Sequence, residues 1–161
     1  MAPARLRSRV RWTLIVLVLV MVILSLRSHP APASEPATAS ALVKVATTFE
    51  HDYQHNVDAP VWDRFDAASR ALIPRARYVS WHHSCPTTSS DATVLGATRR
   101  ADGWWEVDYQ ISGVTLHDYW HYVAGQWRFS LTRSNPTAAA LYSSTYSAFA
   151  RASGCTTANQ G

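Results

Sequence analysis

Between Arg100 and Leu131 the chain alternates apolar and polar residues through three runs, RADGWWEVDYQISGVTLHDYWHYVAGQWRFSL. A two-residue repeat is the period of a β-strand with one buried face. Asp102-Gly103, Ser112-Gly113 and Ala124-Gly125 punctuate the runs, and glycine reaches the positive φ that tight hairpins require. The pattern predicts a three-strand antiparallel meander. Ala92 to Thr98 is a weaker strand that would pair with its first edge through the Asp102-Gly103 turn.

Upstream the period changes. Leu42, Val45, Phe49 and Tyr53 recur at three and four residues, which predicts a helix from near Ser40, its cap, to about His55. Asp58-Ala59-Pro60 is a second start signal, with Val61, Trp62, Phe65, Ala68 and Leu72 as the buried face and Pro74 as the stop. Arg77 to Trp81, RYVSW, reads as a short strand, and HHSCP with TTSSD as loop. After the meander, Asn135 is a cap and Pro136 the first residue of a last helix, lined by Leu141, Tyr142, Thr145, Tyr146 and Phe149, with Gly154 at its C-terminal cap. The expected fold class is α+β: helices packed on an antiparallel sheet, plus a C-terminal helix.

Trp12 to Leu26 is a fifteen-residue run without a charge, preceded by Arg5, Arg7, Arg9 and Arg11 and followed by Arg27. Such a segment inserts with its basic end in the cytoplasm. Two fates are open: a short spanning helix whose flanking arginines snorkel, or a secretory signal cut at Ala31-Pro32-Ala33 or Ala37-Thr38-Ala39. The expected organisation is an anchor or signal over 1–27, a Pro/Ala-rich tether over 28–40, an extracytoplasmic domain over 41–155 and a disordered tail over 156–161. The expected location is the cell membrane, single-pass with the domain outside the cytoplasm; secretion after cleavage is the alternative.

The formal charge of +4 changes meaning once it is located. Five of the fifteen basic residues flank the hydrophobic run, and without them 10 basic residues face 11 acidic ones. Nucleic acid is therefore not an expected partner. The seven Trp and seven Tyr fall almost entirely after Phe49 and on predicted core stripes, enough to build a core without a metal.

The order of elements, ending in the hydrophobic-x-Gly-x-Trp-x-hydrophobic hairpin at Val123 to Phe129, resembles the nuclear transport factor 2-like superfamily. That resemblance implies a strongly curved sheet that the N-terminal helices close into a cone. An anchor, a tether and such a domain together also resemble membrane-anchored actinobacterial envelope proteins, including the mammalian-cell-entry-associated group. The helix from Pro136 adds to the simplest cone and bears on whether its mouth stays open.

Alternation sorts the meander into two faces. Trp105, Val107, Tyr109 and Ile111 share one with Leu116, Asp118, Trp120 and Tyr122, and with Trp127, Phe129 and Leu131. Asp118 is the carboxylate on that apolar face. Isomerases and dehydratases of the resembled superfamily use an acidic or histidine base in an apolar pocket, and burial raises a carboxyl pKa towards that task. Asp118 is the candidate base, with His117 or Tyr122 as a second group if either turns inward. A purely structural role, a bond to a backbone amide or a neighbouring Tyr or Arg, is the weightier expectation. On the opposite face Trp104, Tyr119 and His121 are candidate interface residues, for a homodimer or an envelope protein partner.

His51 and His55 stand at i, i+4, a spacing that can hold zinc, but HDYQH lacks the adjacent glutamate of a zincin and no third ligand is signposted. Neither a metal nor another cofactor is expected. Cys85 and Cys155, a single even pair outside the cytoplasm, read as one disulfide closing a loop of about 70 residues, a contribution of roughly 4 kcal/mol in the chain-entropy model. A Cys85 nucleophile beside His82 or His83 is the competing idea, weakened because an external thiol oxidises readily. No phosphate-cradling loop, Ser-His-Asp motif or dinucleotide fingerprint is present. The expectation is a non-catalytic accessory or assembly protein of the envelope, leaning away from an enzyme; the alternative is an apolar-ligand or isomerase/dehydratase-type pocket protein using Asp118.

Overall fold

The computed structural model describes residues 33–88 and 90–155. The hydrophobic run, the anchor or signal built on it and the 156–161 tail lie outside the described residues. Among the described residues no helix is long and apolar enough to cross a membrane.

The first helix, α1 (Ala39–Gln54), is capped two residues earlier than its pattern suggests, by Thr38, which accepts from the Ala41 amide at 3.3 Å. Ser40 is inside the helix. Its buried face is Leu42, Ala46, Phe49, Glu50 and Gln54, four of them at strict helical spacing. The second helix breaks in two, α2 (Asp58–Arg64) and α3 (Ala67–Leu72). Asp66 is the cause: its carboxylate accepts from the Ser69 amide at 2.7 Å and caps α3, while its own amide donates to the Phe129 carbonyl at 2.8 Å.

The helical stretch stops at Leu72, just before Pro74 as expected, and Pro74 in turn precedes the next helix. The expected strand at RYVSW is instead part of α4 (Arg75–Ser84), because Tyr78, Trp81 and His82 at i, i+3 and i+4 bury one helical face. His82 and His83 are therefore helical, not loop residues.

Four antiparallel strands follow in sequential order: β1 (Thr93–Arg99), β2 (Trp105–Ile111), β3 (Val114–Val123) and β4 (Gln126–Phe129). The sheet is curved, with a register irregularity between Val94 and Gly96 on its edge. Ser112-Gly113 and Ala124-Gly125 each place two successive residues at positive φ, the two-residue hairpin geometry whose twist matches the flanking strands. The face carrying Val107, Asp118, Trp120, Trp127 and Phe129 is buried against the helices, as alternation predicts. Phe49 from α1 meets Trp120 edge-on at 5.1 Å and Phe129 at 4.7 Å, so helix and sheet interlock through aromatic rings.

The chain closes with α5 (Leu131–Ser134), α6 (Pro136–Tyr142) and α7 (Tyr146–Ala152). Asn135 caps α6 as expected, its side chain accepting from Ala138 at 2.8 Å, with Pro136 in the first turn. The expected single helix to Gly154 is interrupted because Thr145 caps a new one, accepting from Ala148. Cys85 and Cys155 form a disulfide with Cα atoms 5.7 Å apart, joining the end of α4 to the end of α7. The fold is thus α+β, with helices on a curved antiparallel sheet and helical structure after it.

The segment read as tether is held to the sheet from Ser34 onward. Glu35 donates its amide to the Gly125 carbonyl, and its carboxylate accepts from the Trp127 amide at 2.8 Å and pairs with Arg64 at 2.7 Å. The Trp127 indole donates to the Pro36 carbonyl at 3.0 Å. These bonds fasten three residues across the β3–β4 hairpin.

Candidate functional site

Asp118 projects from β3 into the interior and is 6% exposed. Facing it from α1 is Glu50, 4% exposed, and the two carboxyls are hydrogen-bonded to each other. Two ionised carboxylates in this contact would repel without solvent to separate them, so the pair keeps a proton. Burial raises the Glu50 pKa above the carboxylate range, and the charge of Asp118 raises it further. Burial also raises Asp118, but hydrogen bonds from Glu50 and Ser134 favour its charged form. The Ser134 hydroxyl accepts from the Tyr119 amide at 2.8 Å, which leaves its proton free to point at Asp118. At neutral pH the arrangement is a protonated Glu50 donating to an ionised Asp118.

The pair lies on the wall of a cavity of about 120 Å³. Tyr53, Tyr78, Tyr109, Tyr142 and Asn135 supply its other polar edges, and Phe49, Phe65 and Phe129 are among its apolar walls. A second cavity of about 360 Å³ lies beside the disulfide loop and shares Tyr53, Ala138 and Tyr142 with the first. His82 lines this outer space. Its Nε2 meets the Tyr142 hydroxyl at 2.6 Å, and its Nδ1 faces the Asp58 carboxylate at 3.9 Å. Burial lowers the His82 pKa to about 4, so the ring is neutral and accepts the tyrosine proton.

The other sequence candidates are placed elsewhere. His117 turns outward with its side chain 53% exposed and bonds Asp108 at 2.7 Å, so it does not join Asp118 in the cavity. Tyr122 shares the inner face, but its hydroxyl donates to the Glu35 carbonyl and accepts from Ser34 at 3.1 Å, and it does not line the cavity. Glu50 takes the place sought for them. Its signal was its position, four residues after Ala46 and eight after Leu42 on one helix face.

On the outer face, Trp104 stacks on His121 at 4.5 Å, and the Arg133 guanidinium lies over both Trp104 and Tyr119 at 4.8 and 4.7 Å. Asp102 holds that guanidinium in place. The three aromatic residues form one patch with a fixed cation at its centre. His51 and His55 stack on each other at 4.1 Å at the exposed end of α1, with Asp52 3.6 Å from His51 and Asp91 4.0 Å from His55, but these donors are not gathered into one group of three.

Compared with known proteins, the chain matches no family model, and no curated protein and no solved structure is significantly similar to it.

Proposed function

We propose that this is an extracytoplasmic, membrane-tethered accessory domain of the cell envelope that holds a small ligand in the cavity beside Glu50 and Asp118. The observation that carries the reading is the hydrogen-bonded pair of buried carboxyls on the wall of a cavity rather than against packed side chains. A carboxylate with a neutral partner accepts from a hydroxyl or ammonium group, while the phenylalanine walls take an apolar body. A volume of about 120 Å³ limits the occupant to a few heavy atoms, close to the size of an aromatic ring. The outer patch of Trp104, Tyr119 and His121 serves a protein partner or a second copy in this reading.

The test is native mass spectrometry of the untagged full chain, with thermal shifts against small alcohols, phenols and primary amines. The reading expects at least one class to raise the melting temperature in the wild type and not in Asp118→Asn. No shift from any compound, with no retained ligand mass, would remove it. A second reading, proton transfer by Asp118, is favoured by its raised pKa of about 6 in an apolar site. It requires turnover that disappears in Asp118→Asn while ligand binding persists.

A further inference from the structure

The outer face of the sheet carries a second constellation, remote from the cavity in its chemistry and independent of the function proposed for it. In the β2–β3 register Asp108 stands directly opposite His117, and Glu106, two residues back on the same face, stands opposite Tyr119. One donor atom from each of Glu106, Asp108 and His117 lies within 4.8 Å of the other two. Among the described residues this is the group of three or more His, Cys, Asp or Glu donors so gathered. We propose that these three side chains bind a zinc ion.

The donor set is one imidazole and two carboxylates, a combination that suits a borderline divalent ion. Donors at about 2.0–2.2 Å from a tetrahedral centre stand roughly 3.4 Å apart. Solvent-facing Asp108 and His117 have room to rotate towards that value, their own donor contact opening from 2.7 Å as the set gathers around an ion. The Nδ1–Oδ1 contact of 2.7 Å between them is a hydrogen bond, and the ion takes the place of its proton. The two strands fix the backbone positions, so the cost of ordering the ligands is small.

Glu106 is already oriented by a group that would belong to an outer shell. Its carboxylate pairs with Arg100 at 3.3 Å. Ligating carboxylates are characteristically hydrogen-bonded in this way. The two carboxylates balance the charge of the ion, and Arg100 balances one of them without it. Three protein ligands leave a fourth tetrahedral position for a solvent water.

The test is calorimetric titration of the untagged full chain, stripped with chelator, with ZnCl2, accompanied by the visible absorption of Co2+ as a reporter of ligand type. The expected result is one ion per chain, with affinity reduced at least ten-fold in both His117→Ala and Asp108→Asn and unchanged in the His51→Ala/His55→Ala double variant. The Co2+ spectrum changes in His117→Ala, whose folding is checked by its melting temperature. Equal affinity in wild type and His117→Ala, loss of binding in the His51/His55 variant, or no zinc uptake at micromolar concentration would each overturn the assignment.

Discussion

The carboxyls of Glu50 and Asp118, one on a helix and one on a strand, share a proton inside an aromatic core. Their linkage gives stability a pH dependence with a defined sign. Folding raises Glu50 from 4.5 to about 9 and Asp118 from 3.8 to about 6, so the folded state binds more protons and stability falls as pH rises through each window. Buried His82, lowered from 6.5 to about 4, acts oppositely and adds stability as pH rises to 6.5. From pH 4.5 to 6 the two carboxyls outweigh the histidine. Above 6.5 Glu50 alone titrates, at most roughly 1.4 kcal/mol per pH unit. Denaturant melts at pH 6.5, 7.5 and 8.5 should show this decline in the wild type and not in Glu50→Gln; parallel curves would refute it.

Tyr142 joins the two cavities through its bond to His82. Tyr142→Phe keeps the ring contacts with Trp81 and Phe149 but leaves the imidazole Nε2 without its donor. The expected cost is about 1–3 kcal/mol, read from urea denaturation, because a buried acceptor is left unpaired. The histidine pKa should also move, which NMR titration of the ring protons would report.

The disulfide predicts a clear equivalence. Cys155→Ser should lose about 2–5 kcal/mol, and reductant should lower the wild-type melting temperature to that of the variant while leaving the variant unchanged. A reductant effect on the variant would mean that something other than this bond is responsible.

At the β3–β4 turn, Gly125 has φ +80°, and a Cβ added there would stand 2.9 Å from the Ser34 hydroxyl oxygen. Gly125→Ala therefore carries two penalties, backbone strain and a clash, together more than about 1 kcal/mol. Ser34→Gly in the same chain should recover the steric part only. Complete recovery in thermal melts would show that the backbone conformation costs nothing here.

The elements that were legible in the sequence are those in which a local rule and the tertiary context agree. Ser112-Gly113 and Ala124-Gly125 announced hairpins because the required backbone is available to glycine, and alternation then aimed Asp118 inward. The cysteine pair followed from the even count and the expected compartment. Glu50 is hidden in the sequence because periodicity marks apolar residues on α1, and a carboxyl occupies that buried stripe only with its partner across the core. Asp66 and Thr145 are cap-type residues inside apolar patterns, and their capping divided helices that periodicity alone reads as continuous. RYVSW misled because its three β-favouring residues, Tyr78, Val79 and Trp81, also fit a helix when Tyr78 and Trp81 are three apart.

Proline-rich composition similarly said nothing of the bonds made by Ser34, Glu35 and Pro36. Their effect reaches to the maturation of the chain. Of the two small-residue sites at which a signal peptidase could act, a cut after Ala39 would remove Glu35 and Thr38 together, orphaning the Trp127 amide and indole, releasing Arg64 and uncapping the first helix. A cut after Ala33 would keep every one of these bonds. Of the two cuts, only the one after Ala33, which would leave Ser34 as the amino terminus, is compatible with these bonds.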